Sequence, residues 1–182
     1  MTEKEKEMDG YRKFVAEVMA SAAKPEATAP RVFDNLGTDH AKIVIEAMLR
    51  SAQRKIRVYA QCLNTDVYDA ALLREFHLRH PDGEVEILVE KIDVFQNPES
   101  ALNGCGNLLS TKFQVRTTEY RGKHLQIVDN AFVRVETSQD ARKAIIGYGV
   151  PELMSNASEL FDTIWAQAQP VEPHGPGSGS DG

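Results

Sequence analysis

The stretch FQVRTTEYRGKHLQIVDNAFVRVE, residues 113–136, decides how the chain folds. Residues 113–118 alternate apolar and polar side chains, which is typical of a half-buried strand. Two further segments, 124–129 and 131–136, read as strands joined by a tight turn at Asp129 and the asparagine that follows it. The stretch therefore predicts a strand, a loop and a two-stranded hairpin.

Helices and strands alternate along the rest of the chain. Apolar residues at helical spacing predict a helix that begins at Thr38 or Asp39, because either side chain can accept bonds from the first free N–H groups. The order strand, helix, strand, helix is then predicted at residues 55–63, 66–79, 84–92 and 98–110, with a last helix at 152–168. This alternation favours an α/β fold in which a mixed sheet is flanked by helices.

Both ends of the chain are predicted to lie outside this α/β domain, which is placed at residues 31–169. Residues 1–23 have helical apolar spacing and predict an N-terminal helical appendage, expected to pack on a partner or on a second subunit. Residues 24–30 are rich in Ala and Pro, as in a linker. The tail, 170–182, is rich in Gly, Ser and Pro and is predicted to be disordered.

The composition excludes several classes of protein. With 42% hydrophobic and 26% charged residues, the 182-residue chain is expected to be globular. A net charge of −6 makes binding along a nucleic-acid backbone an unfavoured function, since such binding requires clustered cations. No apolar run approaches the roughly 18 residues of a membrane span, so no membrane partner is predicted.

The first residues and the two cysteines indicate the compartment. The N-terminus is charged and lacks the apolar segment of a signal peptide. Cys62 and Cys105 show no C-x-x-C spacing and are expected to be reduced thiols in a cytoplasmic protein. No motif indicates a metal or a cofactor, so neither is predicted.

The order of elements, with His124 at the start of a late strand, resembles one half of a phospholipase D-like protein. The segment DHAKIVIEAMLRSAQRKIRVYAQCL, residues 39–63, is similar to the usual beginning of that domain, and the resemblance extends over roughly residues 38–168. It implies a phospholipase D-like single α/β domain. The family's motif is His-x-Lys followed by four residues and an Asp, in which the histidine attacks phosphorus and the lysine neutralises phosphate charge. Active members bring two copies of the motif together.

The sequence departs from this motif at two positions. His124 stands at the histidine position and is the one candidate catalytic residue, but Gln126 stands in place of the lysine and Ala131 in place of the aspartate. Because Gln126 is neutral, it cannot pair with phosphate by charge. The resemblance therefore implies that phosphodiester chemistry is lost. An ordinary half-buried strand histidine with a hydrogen-bond partner is the alternative interpretation of His124.

Several polar residues are candidates for a ligand site beside His124, although each also has an ordinary role in a turn, in packing or in solvent. They lie on the histidine strand, at or beyond the end of the first strand, in the basic loop before the histidine and on the returning strand. Glu136 is expected to pair with Lys123 or Arg121. The candidate ligand-binding residues are Gln126, Tyr59, Gln61, Asn64, Arg121, Lys123 and Glu136.

Three functions are open at this point. The altered motif and the acidic charge favour a non-catalytic interaction or ligand-sensing module that acts as a homodimer, with the two His124 residues near the twofold axis. The first alternative is a dimeric phosphodiesterase or nuclease that uses His124 from each subunit, with Arg121 or Lys123 replacing the motif lysine. The second alternative is a subunit of a larger complex, docked by its N-terminal helix.

Overall fold

The computed structural model describes residues 1–22 and 30–172. The predicted linker, apart from residue 30, and the predicted tail from residue 173 onward lie outside the described residues. In the described part, no helix is long and apolar enough to span a membrane. The elements in chain order are α1 (Glu3–Ala22), β1 (Arg31–Leu36), α2 (Thr38–Ser51), β2 (Lys55–Ala60), α3 (Ala70–Arg79), β3 (Glu84–Val89), β4 (Phe113–Thr117), β5 (Leu125–Val128), β6 (Phe132–Ser138), β7 (Lys143–Tyr148), α4 (Pro151–Gln167) and β8 (Gln169–Pro170).

The strands form one sheet in the order β1-β7-β6-β5-β2-β3-β4-β8. Strands β2, β3 and β4 run parallel, since a helix or a long loop connects each to the next. Strands β5, β6, β7 and β1 pair antiparallel, and β5 joins the two halves by pairing antiparallel with β2. The predicted α/β fold with a mixed sheet is confirmed.

Each face of the sheet has its own core, because successive strand side chains point to opposite faces. Ile56 and Val58 belong to a cluster that also contains apolar residues of α1, α2 and α3. Tyr59, Leu125 and Ile127 belong to a second cluster on the face covered by α4. Burying one large apolar side chain contributes roughly 1.5–3 kcal/mol, so these clusters determine which face of each strand turns inward.

The first residues form helix α1, which packs on its own domain. Val15 is buried in the core cluster beneath α1 and α2. The ring of Phe14 meets that of Phe33 on β1 edge-on, with centroids 5.2 Å apart. The Tyr11 hydroxyl donates to the backbone oxygen of Asp34 at 2.9 Å. Contacts within the chain therefore occupy the apolar side of α1, and docking of this helix on a partner stays a prediction.

The hairpin turn between β5 and β6 is confirmed. Asp129 and Asn130 both have a φ of 54°, the left-handed conformation that such a turn requires. The Asp129 carboxylate also accepts the backbone N–H groups of Gln53, Arg54 and Lys55 at 2.7, 2.8 and 2.7 Å. This one side chain thus fixes the hairpin to the segment that leads into β2.

Other predicted elements were wrong. The helix predicted at residues 98–110 is a series of turns with a single 3-10 turn at Gly106–Leu108. There the Ser100 hydroxyl accepts the N–H of Leu102, which the predicted helix would bond to the backbone oxygen of Pro98. Gly104 also has a φ of 70°, which lies outside the α-helical region. The helix predicted to start at residue 66 starts at Ala70, because the Asp69 side chain caps it. Strands β1 and β7 were not predicted.

Candidate functional site

His124 lies immediately before β5 and is 7% exposed. Its backbone oxygen accepts the N–H of Glu136 at 2.9 Å, so the pairing of the hairpin continues through this residue. The Tyr59 ring meets the imidazole edge-on, with ring centroids 5.4 Å apart. Strand pairing and packing therefore hold the imidazole in one orientation.

A carboxylate lies beside each ring nitrogen of His124. The Nδ1 atom is 2.8 Å from Oε2 of Glu136 on β6. The Nε2 atom is 3.5 Å from Oε1 of Glu90, the residue directly after β3. Both glutamate side chains are at most 9% exposed. The imidazole of His124 therefore lies between two nearly buried carboxylates.

Two arginines and an asparagine extend this arrangement on both sides. Arg134 Nη2 is 3.2 Å from Glu136 Oε1, and Arg134 Nε donates to Asn35 Oδ1 at 3.0 Å. On the other side, Arg121 Nε is 3.4 Å from Glu90 Oε2. Arg134 thus supplies a counter-charge to Glu136 and Arg121 supplies one to Glu90, as buried carboxylates require. We call Asn35, Arg134, Glu136, His124 and Glu90 the buried network.

The environment of Glu136 shifts its pKa. Burial by itself raises the pKa of this carboxyl, since it disfavours the charged form. Hydrogen bonding to His124 and the nearby charge of Arg134 act in the opposite direction and prevail, so the pKa of Glu136 lies below its ordinary value. Glu136 is therefore held as a carboxylate.

Tyr59 links the buried network to the loop before His124. Its hydroxyl oxygen lies 2.8 Å from Glu90 Oε1 and 3.0 Å from the backbone oxygen of Tyr120, and it accepts the N–H of Gly122 at 3.2 Å. Burial and the hydrogen bond to Glu90 raise the pKa of the Tyr59 phenol. The phenol therefore stays protonated and positions the loop.

Gln126 is fully buried rather than solvated. It lies opposite Arg134 in the hairpin register and so points to the same face of the sheet. Within the described residues, neither polar atom of its amide has a hydrogen-bond partner. A buried unpaired amide costs stability and supplies no positive charge, so Gln126 does not replace the motif lysine.

The other candidate residues fall into two groups. Tyr59 and Arg121 belong to the surroundings of His124, as described above. Among the described residues, no hydrogen bond or ion pair joins the side chain of Gln61, Asn64 or Lys123 to that of His124. Gln61 and Lys123 are exposed, and the Asn64 side chain accepts the N–H of Asp66 at 2.7 Å. The expected pairing of Glu136 with Lys123 or Arg121 was wrong, because Glu136 points into the sheet face that carries Arg134.

Sequence reasoning missed Asn35, Glu90 and Arg134. Arg134 and Glu136 alternate with valines on β6, so period-two spacing places them on the face of Gln126. That signal identifies the shared face but does not reveal that the face is buried. Glu90 follows the apolar run of β3 directly, which is the one hint that it lies at the strand end near His124.

The groups around His124 are enclosed by the protein itself. His124 does not line any of five surface cavities of the described chain whose volumes are 470 to 770 Å³. Among the described residues, no group of three or more His, Cys, Asp or Glu could hold a metal ion. The arrangement holds a histidine between two acids and fixes the orientation of its ring.

The sequence matches one family model. The model of a family described as a domain of unknown function, DUF7931, matches residues 37–173. A comparison with curated proteins finds no match.

Solved structures share the fold at low sequence identity. Nuc from Salmonella typhimurium, a phospholipase D family member, is 19% identical, with a TM-score of 0.61, over 79% of this chain and 99% of Nuc. NucT from Helicobacter pylori is 10% identical, with a TM-score of 0.57, over 78% of this chain and 99% of NucT. The archaeal chromatin protein TrmBL2, described as having a novel mode of DNA binding, is 17% identical, with a TM-score of 0.61, over 93% of this chain.

The chain spans 64% of the length of TrmBL2, so that protein has parts without a counterpart here. Sequence identities of 10 to 19% show that these proteins share a fold with this chain, but they do not show a shared activity. The predicted resemblance is confirmed at that level: the fold is that of a single phospholipase D-like domain.

Proposed function

The chain belongs to the DUF7931 family, and from its phospholipase D-like fold we propose that it is a non-catalytic interaction or ligand-sensing module that acts as a homodimer. The observation that carries the proposal is the Glu90 carboxylate, 3.5 Å from Nε2 of His124. In a phosphohydrolase of this fold, Nε2 would have to be open to phosphorus.

Electrostatics support this proposal. A phosphodiester beside His124 would place negative charge next to Glu90 and Glu136. Two like unit charges about 4 Å apart repel by about 4 kcal/mol at an effective dielectric constant of about 20. Gln126 offers no compensating charge, and Arg134 is 2% exposed and already bound to Glu136. The site therefore disfavours the substrate that the fold's enzymes would require.

The test is hydrolysis of a chromogenic phosphodiester and of single- and double-stranded DNA by the wild type and by His124→Asn. His77→Asn, which changes a histidine outside the buried network, is the matched control. We expect all three proteins to be equally inactive while a commercial phosphodiesterase is active in the same buffer. Hydrolysis by the wild type and by His77→Asn that His124→Asn lacks would overturn the proposal.

A dimeric phosphodiesterase or nuclease is the second candidate function, and one observation favours it. Glu136 holds Nδ1 of His124 at 2.8 Å, which is how a carboxylate orients a nucleophilic or basic imidazole. The same assay decides between the two functions, since this enzyme would require His124 in each subunit.

A further inference from the structure

One face of the sheet is covered by a single helix of the described chain. Helix α4 packs on β5 and β6, and its far end reaches β4, where the Arg116 guanidinium lies 4.4 Å above the Trp165 ring. A helix is about 10–12 Å across and strands lie about 4.8 Å apart, so one helix covers two or three strands at any level. Leu153, near the start of α4, still covers Gly147 of β7. The end of this face that lies beyond α4 is therefore formed by β1 and by residues 143–145 of β7.

Strand β1 is exposed on that face. Val32 and Leu36 are 61% and 63% exposed, and Asp34 between them is exposed as well. On the opposite face of the same strand, Asn35 is fully buried and Phe33 packs against α1. The strand thus turns two large apolar side chains outward although its other face is covered.

Neighbouring residues of β7 complete this surface. Ile145 lies opposite Asp34 and Lys143 lies opposite Leu36 in the strand register. We call Val32, Asp34, Leu36, Lys143 and Ile145 the β1 patch. Within the described residues, neither the Asp34 carboxylate nor the Lys143 ammonium forms an ion pair, although both are exposed.

The charges of the β1 patch indicate what covers it. One acid and one base beside an apolar centre make a surface that is complementary to a twofold copy of itself. A nucleic acid would require several cations on the surface, and the patch has one.

We propose that the β1 patch is the surface on which a second copy of this chain docks, with Leu36 and Ile145 at the centre, Val32 beside them and Asp34 against Lys143 of the partner subunit. The inference rests on the proposed function, in which the chain acts as a homodimer, and names the surface. It involves none of the residues of the buried network.

The first experiment measures the mass of the full chain by sedimentation equilibrium over a range of concentrations. The variant Val32→Glu/Leu36→Glu places four carboxylates at the twofold contact. The control is Leu78→Glu, which adds an acid at an apolar residue of α3 that is 75% exposed. We expect the wild type and Leu78→Glu to be dimers, and the dissociation constant of the patch variant to rise at least 100-fold.

The second experiment reverses the charges. Asp34→Lys and Lys143→Asp are each expected to weaken dimerisation about tenfold, and the double variant is expected to restore it, because the opposite charges then meet again across the contact. Since both side chains are exposed, thermal unfolding is expected to show that these variants fold like the wild type.

The results separate the two proposals. A dimer that persists in Val32→Glu/Leu36→Glu and in both single charge reversals overturns the β1 patch and leaves the homodimer standing. A monomeric wild type at all concentrations overturns both the patch and the homodimer. Hydrolysis that depends on His124, measured separately, overturns the non-catalytic function alone.

Discussion

Arg134 and Glu136 lie two residues apart on β6, and their charged groups meet at 3.2 Å with side-chain exposures of 2% and 5%. The same glutamate contacts His124, and the same arginine binds Asn35 on β1. Transferring a charged group from water into the protein interior costs free energy. This cost is offset here because each charged group has a partner of opposite charge or a hydrogen-bond partner. The pair therefore joins β1, β6 and the start of β5 into one unit.

Replacing Glu136 by Ala leaves Arg134 buried without its counter-charge. We expect the free energy of unfolding to fall by about 3–5 kcal/mol, the usual cost of breaking a buried ion pair from one side. Urea denaturation followed by circular dichroism measures this change. The control Glu7→Ala alters an exposed glutamate of α1 and is expected to change the free energy of unfolding by less than about 0.5 kcal/mol. Equal effects of the two changes would show that the Arg134–Glu136 pair does not stabilise the fold.

Acid is expected to weaken the same pair. Because the pKa of Glu136 in the folded chain lies below its ordinary value of 4.5, its contribution is complete above that value and is lost as the pH falls through the lowered pKa. Thermal unfolding measured between neutral pH and pH 3 should therefore show a steeper loss of stability for the wild type than for Glu136→Gln, which has no carboxyl to protonate. Parallel pH profiles for the two proteins would contradict this assignment.

Glu90 is expected to control the titration of Tyr59. Burial raises the pKa of this phenol first, and the hydrogen bond to Glu90 raises it further. In Glu90→Gln the negative charge beside the phenol is gone, so Tyr59 should ionise at a lower pH. Nuclear magnetic resonance of labelled tyrosine rings measures this titration. Tyr68 is the internal control: burial raises its pKa to about 12, and it should titrate alike in both proteins.

Much of the fold could be predicted because most strands alternate apolar and polar residues regularly. Strand β1 was missed because a polar residue, Asn35, occupies one of its buried positions and interrupts the apolar pattern. The helix predicted at residues 98–110 failed because the Ser100 side chain binds the backbone locally and Gly104 has a positive φ. Local sequence patterns predict a helix well only where no side chain forms a hydrogen bond to the backbone N–H groups that the helix would use.

The sequence predicted His124 as the centre of the site but did not predict the charged residues that contact it. Period-two spacing places Gln126, Arg134 and Glu136 on one face, but charged residues on a strand are usually solvated, and the depth of this face depends on α1 and α2 covering it. Glu90 contacts His124 because only one strand, β2, separates β3 from β5 in the folded sheet. A contact of that kind depends on strand order, which local spacing does not contain.

Asp129 is expected to be important for stability although it lies at a surface turn. Its carboxylate accepts three backbone N–H groups at 2.7 to 2.8 Å, and hydrogen bonds to a charged group contribute about 1.5–3 kcal/mol each where solvent competes little. Because two of these N–H groups are in exposed residues, we expect Asp129→Ala to lower the free energy of unfolding by about 2–4 kcal/mol in total. Asp129→Asn keeps one acceptor oxygen and tolerates the positive φ, so urea denaturation should place it between the wild type and Asp129→Ala. If Asp129→Ala unfolds at the same urea concentration as the wild type, the three bonds do not hold the hairpin to β2.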